Sequence, residues 1–166
     1  MSHFPDDILA LARGIISDFA AKGRMIATAE SCTGGLIAGA LTDIPGSSAV
    51  VDRGFVTYTN TAKMEMLGVQ EQTLAQFGAV SKETALQMVH GALFRSHADL
   101  AVAVTGIAGP GGGSADKPVG LVHLAAKART GGLIHREMRY GDIGRDKVRL
   151  ATVRTALDML IALDQA

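Results

Sequence analysis

The sequence predicts a single α/β domain, a mixed β-sheet covered by helices, with a serine-bearing strand–turn–helix in its first quarter. Three observations predict it. Short β-rich runs alternate with stretches whose apolar residues recur at helical spacing. A Gly/Pro-rich loop directly follows the continuous apolar run Leu100 to Val104, the position at which open α/β sheets bind ligands. Late in the chain, two β-rich runs flank Arg129-Thr130-Gly131-Gly132, a hairpin that adds antiparallel strands to the pattern. The chain of 166 residues suits one domain over residues 1–166 and is long enough to bury a substantial core.

The opening helix is read from Ile8, Leu11, Ala12, Ile15, Ile16 and Phe19 after Pro5-Asp6-Asp7, with Gly23 ending it. Met25 to Ala29 is a short strand. It breaks at Glu30-Ser31-Cys32-Thr33 and passes through Gly34-Gly35 into a helix carrying Leu36, Ile37, Ala40 and Leu41. Ala49 to Tyr58 is β-rich, and Asn60 is the expected cap of a short helix closed by Gly68. Ser81 caps the next helix, which places Leu86, Val89, Leu93 and Phe94 on its apolar face with a half-buried His90 beside it. Leu100 to Val104 is a buried strand, and Thr105 to Pro118 is the Gly-rich loop. After the hairpin of Val119 to Ala128 and Leu133 to Tyr140, a last helix starts near Asp146.

Composition removes several function classes. Lys and Arg total 16, as do Asp and Glu, so the chain lacks the basic excess that phosphate neutralisation demands of a nucleic-acid binder. Aromatic residues are 4% with no Trp, which leaves little for base stacking. No apolar run reaches the length of a membrane span. The polar, acidic opening from Met1 to Asp7 fits neither a signal nor a transit peptide, so the cytoplasm is the expected address. With one cysteine, Cys32, and no pair of histidines at helical ligand spacing, no metal site and no cofactor are expected.

Three segments carry chemistry. At Ser31, a hydroxyl follows a strand and precedes a helix. The backbone N–H groups of Cys32, Thr33 and Gly34 are expected to be free to face an anion or an oxyanion. Serine is also a favoured cap, and most serines in such a place only cap, so by this segment alone the capping role is the stronger reading. Cys32 is a rival nucleophile, because a thiol is intrinsically the stronger one and a helix N-terminus lowers its pKa; the residues by themselves leave the choice open. No histidine has an obvious claim as base. Lys63 lies in the first turn of the helix after Tyr58, where the dipole disfavours a cation and burial favours the neutral amine. Moving a lysine from about 10.4 to near 7 costs about 4 to 5 kcal/mol. Tyr58 can share that pocket and relay or donate a proton, although for each residue taken singly an exposed lysine and a half-buried tyrosine are the plainer reading. Ser114 and Lys117 match the SxxK spacing but sit in the Gly/Pro loop rather than on one helical face.

The second segment, Thr105 to Gly113, offers successive backbone N–H groups to a phosphate or carboxylate. It is neither GxGxxG nor a P-loop. In the third, Arg145 stands at a loop-to-helix junction, where its fork can hold a phosphate. Lys147 and Arg149 are read there as solvated.

At these residues the chain resembles the C-terminal domain of the CinA family, whose enzymes include amidohydrolases of nicotinamide nucleotides. The matching blocks are Ala29-Glu-Ser-Cys-Thr-Gly-Gly35, Pro45-Gly-Ser-Ser48, Tyr58-Thr-Asn60 with Lys63, Gly78-Ala-Val-Ser81, Thr105-Gly-Ile-Ala-Gly-Pro-Gly-Gly-Gly113, Lys117-Pro-Val-Gly120 and Gly144-Arg145. Thr59 stands where the family pattern is expected to carry a serine. Larger family members carry a further N-terminal domain resembling molybdopterin-binding proteins; its activities are not expected here.

The resemblance implies hydrolysis of the carboxamide of nicotinamide mononucleotide to nicotinate mononucleotide and ammonia. It favours Ser31 as nucleophile, with Lys63 and Tyr58 handling protons. It implies substrate contacts from Thr105, Arg145, Ser48 and the glycines Gly106, Gly109 and Gly111. The turn residues Thr33 and Gly34 are expected to face the substrate, and Glu30 either offsets the pyridinium charge or is, equally, a plain structural carboxylate. A small-molecule mononucleotide is thus the expected partner, with neither nucleic acid nor membrane, and the resemblance adds a homodimer. The alternatives are a non-catalytic nucleotide- or phosphate-binding module linked to competence or DNA damage, and a hydrolase of another amide.

Overall fold

A computed structural model describes residues 1–165 of the chain. The elements run α1 (Asp6–Lys22), β1 (Ile26–Glu30), α2 (Leu36–Thr42), a 3-10 turn (Ser47–Ala49), β2 (Val51–Val56), α3 (Asn60–Leu67), α4 (Glu71–Phe77), α5 (Lys82–Phe94), β3 (Leu100–Gly106), β4 (Leu121–Ala128), β5 (Leu133–Arg139) and α6 (Arg145–Gln165). The strands form one mixed sheet of five in the order β2-β1-β3-β4-β5. β1 is parallel to β2 and to β3, while β3, β4 and β5 pair antiparallel.

Helices cover both faces, and the side chains of the strands decide how. Ile26, Leu100, Val102, Val104, Val122 and Leu124 point to one layer, where α1, α2 and α6 complete the larger core. The alternate positions are Ala27, Ala29, Ala101, Ala103 and Ala125, and they meet α5 and the end of α3. Small residues on that face let α5 lie close to the sheet. Gly91 of α5 extends the same logic to α3, because a Cβ there would stand 1.9 Å from the Leu67 carbonyl oxygen.

The local signals set most boundaries. Gly23 takes the left-handed conformation that ends α1, and the Ser81 hydroxyl accepts from the Thr84 amide at the start of α5. Several expectations are corrected. The cap of α3 is Thr59, whose hydroxyl accepts from the Ala62 amide, so Asn60 is the first helical residue. β3 continues through Thr105 and Gly106, which pair with His123 and Val122, so the Gly-rich loop begins at Ile107. Phe94, placed by periodicity on the apolar face of α5, lies in its last turn and is 85% exposed. His90 is exposed as well.

Candidate active site

The parallel strands β1, β2 and β3 all end on one edge of the sheet, and β1 has its sequence neighbours on opposite sides. That edge is where a crevice opens in α/β folds. Here it is a cleft of about 270 Å³, lined by Ser31 beyond β1, Tyr58 beyond β2, Lys63 from α3, Thr105 and Gly106 from the end of β3, the loop from Ile107, and Arg145 at the start of α6.

At its floor, Lys63 Nζ lies 3.0 Å from Ser31 Oγ. The same nitrogen donates to the carbonyl oxygens of Thr57 at 3.1 Å and Tyr58 at 3.3 Å. A neutral amine has two N–H donors and one lone pair. With both carbonyls served, the lone pair is left for the serine hydroxyl. Lys63 is 1% exposed and has no carboxylate partner among the described residues. Burial pushes its pKa below the ordinary lysine value, and the neighbouring Cys32 thiol acts in the opposite direction.

Ser31 itself donates its amide to the Val104 carbonyl, which ties the end of β1 to β3. It does not cap α2. The residues from Ser31 to Gly35 form a separate turn, and Gly35, which carries no side chain, precedes the helix. Within the turn the Gly34 amide donates to the Ser31 carbonyl, so Gly34 is not an open donor as expected. The amides of Cys32 and Thr33 donate to no other residue among the described residues. An oxyanion donor from the residue after the nucleophile is therefore available from the turn.

Cys32 also lines the cleft, but its thiol is buried with the core. Burial, with Glu30 adding to it, pushes its pKa up to about 11. The thiolate that a cysteine nucleophile requires is therefore scarce at neutral pH, which decides between the two neighbours in favour of the serine hydroxyl with its adjacent amine.

At the rim, Arg145 spans the cleft. Its guanidinium donates to the Gly109 carbonyl and to the Tyr58 hydroxyl, each at 2.8 Å. Since the Tyr58 oxygen accepts from Arg145, its own proton is free to be donated. The ring is 55% exposed and stands over the cleft, while its backbone carbonyl holds Lys63. The Thr105 hydroxyl donates to the Ala79 carbonyl at 2.8 Å.

Of the expected site residues, the cleft gathers Ser31, Tyr58, Lys63, Thr105, Gly106, Gly109, Gly111 and Arg145. Glu30, Thr33 and Gly34 are not among its lining residues. The Glu30 carboxylate is fully buried and accepts from the Thr33 hydroxyl at 2.6 Å, the Ile37 amide at 2.9 Å, the Ala38 amide at 3.0 Å and the Thr28 hydroxyl at 3.3 Å. It caps α2 from within. Ser48 lies in the 3-10 turn before β2, whose first residue pairs with the first residue of β1, so it is a strand's length away at the opposite edge. Ala79 and Val80, which no local chemistry singles out, also form part of the cleft wall. The block Gly78 to Ser81 was their only signal. No group of three or more His, Cys, Asp and Glu side chains among the described residues is arranged to hold a metal ion.

Fold and site together define an α/β protein with a serine–lysine pair in a crevice at the ends of its parallel strands. The comparisons then give the family. The CinA C-terminal domain matches residues 9–163, and the chain belongs to that family. It is 50% identical over 155 residues to nicotinamide-nucleotide amidohydrolase PncC of Escherichia coli, covering 93% of each chain. A putative competence-damage inducible protein of Acetivibrio thermocellus is 53% identical over 135 residues, which are 81% of this chain and 32% of that protein. The crystal structure of a competence/damage inducible protein from Agrobacterium tumefaciens superposes with a TM-score of 0.98 at 75% identity over 99% of both chains.

Proposed function

We propose that this chain hydrolyses the carboxamide of nicotinamide mononucleotide, giving nicotinate mononucleotide and ammonia through a serine ester. The observation that carries the reading is the 3.0 Å contact between Lys63 Nζ and Ser31 Oγ, made by a lysine that burial holds towards neutrality. An amide is a poor electrophile, but the pyridinium ring withdraws electrons from this one. Lys63 takes the proton as Ser31 Oγ attacks the carbonyl carbon. The oxyanion accepts from the Cys32 amide. Lys63, directly or through Tyr58, passes that proton to the nitrogen and is neutral again as the C–N bond breaks and ammonia leaves. Water, deprotonated by Lys63, then cleaves the ester and restores Ser31. Arg145 and the loop amides beyond Ile107, whose own amide donates to the Leu121 carbonyl, are suited to the phosphate.

The domain assignment over residues 1–166, the cytoplasmic setting and a homodimer are part of the same proposal, carried by composition and by the resemblance. No helix among the described residues is long and apolar enough to cross a membrane. The test is ammonia release from nicotinamide mononucleotide by the purified chain beside a Ser31→Ala control. Release that the control lacks supports the reading. No release from folded protein that binds the mononucleotide overturns it and leaves a binding module or another amide as substrate.

A further inference from the structure

Arg149 has no role in the reaction as described, and its surroundings give it one. It sits on α6 one turn beyond Arg145 and is half-buried. Among the described residues its guanidinium has no carboxylate partner. It donates instead to two consecutive carbonyls of the nucleophile turn, from Nε to Cys32 and from Nη2 to Thr33, each at 3.1 Å and from more than a hundred positions away in the chain. Gly34 leaves room for it: the position has φ 58°, and a Cβ there would lie 3.4 Å from Arg149 Nη2.

The consequence follows from peptide geometry. In a trans peptide the C=O and N–H bonds point in opposite directions. Holding the Cys32 carbonyl towards α6 therefore turns the Thr33 N–H the other way. The preceding peptide is set in the same manner, since the Ser31 carbonyl is taken by the Gly34 amide and the Cys32 N–H is left outward. From the other side, Glu30 fixes Thr33 and the start of α2. The turn is thus clamped between a buried carboxylate and a guanidinium, and of its residues Ser31 and Cys32 reach the cleft.

We propose that Arg149 is a positioning residue for the reaction: by holding the Cys32 and Thr33 carbonyls it fixes the turn, so that Ser31 and the Cys32 amide keep their places in the cleft. This inference rests on the amidohydrolase reading. It also couples two parts of the site, because Arg145 and Arg149 belong to one helix and any shift of α6 moves the rim and the turn together.

The experiment compares full-length wild type with Arg149→Met and Arg149→Lys. It measures kcat and KM for nicotinamide mononucleotide, the thermal midpoint, and affinity for a pyridine-3-boronic acid, which forms a tetrahedral anionic adduct with a serine nucleophile. Arg149→Met is expected to lower kcat by about 10- to 100-fold with KM changed less than about twofold. Boronate affinity should fall by the same factor as kcat, and Arg149→Lys should recover part of both. A folded Arg149→Met variant with wild-type kcat and boronate affinity overturns the proposal. So does a loss of activity that follows the thermal midpoint while boronate affinity stays unchanged. If wild type releases no ammonia, the amidohydrolase reading fails by itself, and the boronate comparison still decides whether Arg149 supports the turn.

Discussion

Gly91 on α5 and Leu67 at the end of α3 are in backbone contact: a Cβ at position 91 would fall 1.9 Å from the Leu67 carbonyl oxygen. α3 also carries Lys63, so the depth of that contact sets where the amine sits above Ser31. Gly91→Ala has to push α3 outward or strain both helices. The expected result is destabilisation of about 1 to 3 kcal/mol, with a fall in kcat larger than the population of unfolded protein explains. Chemical denaturation and steady-state kinetics on the same sample check it.

Lys63 gives the activity its pH dependence. The active form is the neutral amine, and burial places the folded-state pKa below the ordinary lysine value. Activity therefore rises with pH as the proton is lost, and the rise levels off before 10.5, the reference value for lysine. A profile of log kcat/KM that keeps climbing past that pH contradicts the assignment of Lys63 as base. In Lys63→Met the rising limb disappears with the activity.

Cys32 behaves in the opposite sense. Its thiol titrates near 11 in the folded protein against a reference value of 9.0. The raised value means that the unfolded chain releases this proton first. The Cys32 contribution to stability is therefore unchanged below about 9 and turns unfavourable as pH rises from there towards 11. Alkylation by iodoacetamide should be slow at neutral pH and accelerate across the same window. Rapid labelling of folded protein at pH 7 would contradict the buried thiol.

Glu30→Gln tests the internal cap of α2. Each carboxylate oxygen accepts two hydrogen bonds. An amide replaces one oxygen by a donor that faces other donors. The expected cost is about 3 kcal/mol in a denaturation experiment. A shift under about 0.5 kcal/mol would show that the cap contributes little.

The sequence disclosed those parts whose signals are local. Gly23 and Ser81 mark helix ends through their own backbone and hydroxyl chemistry, and the strand over Leu100 to Val104 is a continuous apolar run. α4 was not legible: Gln70 offers no side-chain cap, and few residues between Glu71 and Phe77 are apolar. For Glu30 the sequence leaves counter-charge and structural carboxylate open, because its amide partners lie seven and eight residues on, across a turn whose shape no periodicity reveals. Arg149 looked solvated because its acceptors are carbonyls on a distant segment, brought near only when α6 packs beside α2. Ser48 belonged to a matching block, but adjacency in a family pattern says nothing about which edge of the sheet a loop occupies.

The sheet order has a kinetic consequence. Ser31 extends from β1, which has a strand on either side, whereas Lys63 follows β2, which is an edge strand with partly exposed residues. Edges open by local fluctuation at a lower free energy than the centre does. Each such opening uncouples the amine from the hydroxyl while the rest of the core stays folded. On warming, turnover should therefore decline before the global melting transition, and amide exchange in residues 51–63 should report that decline.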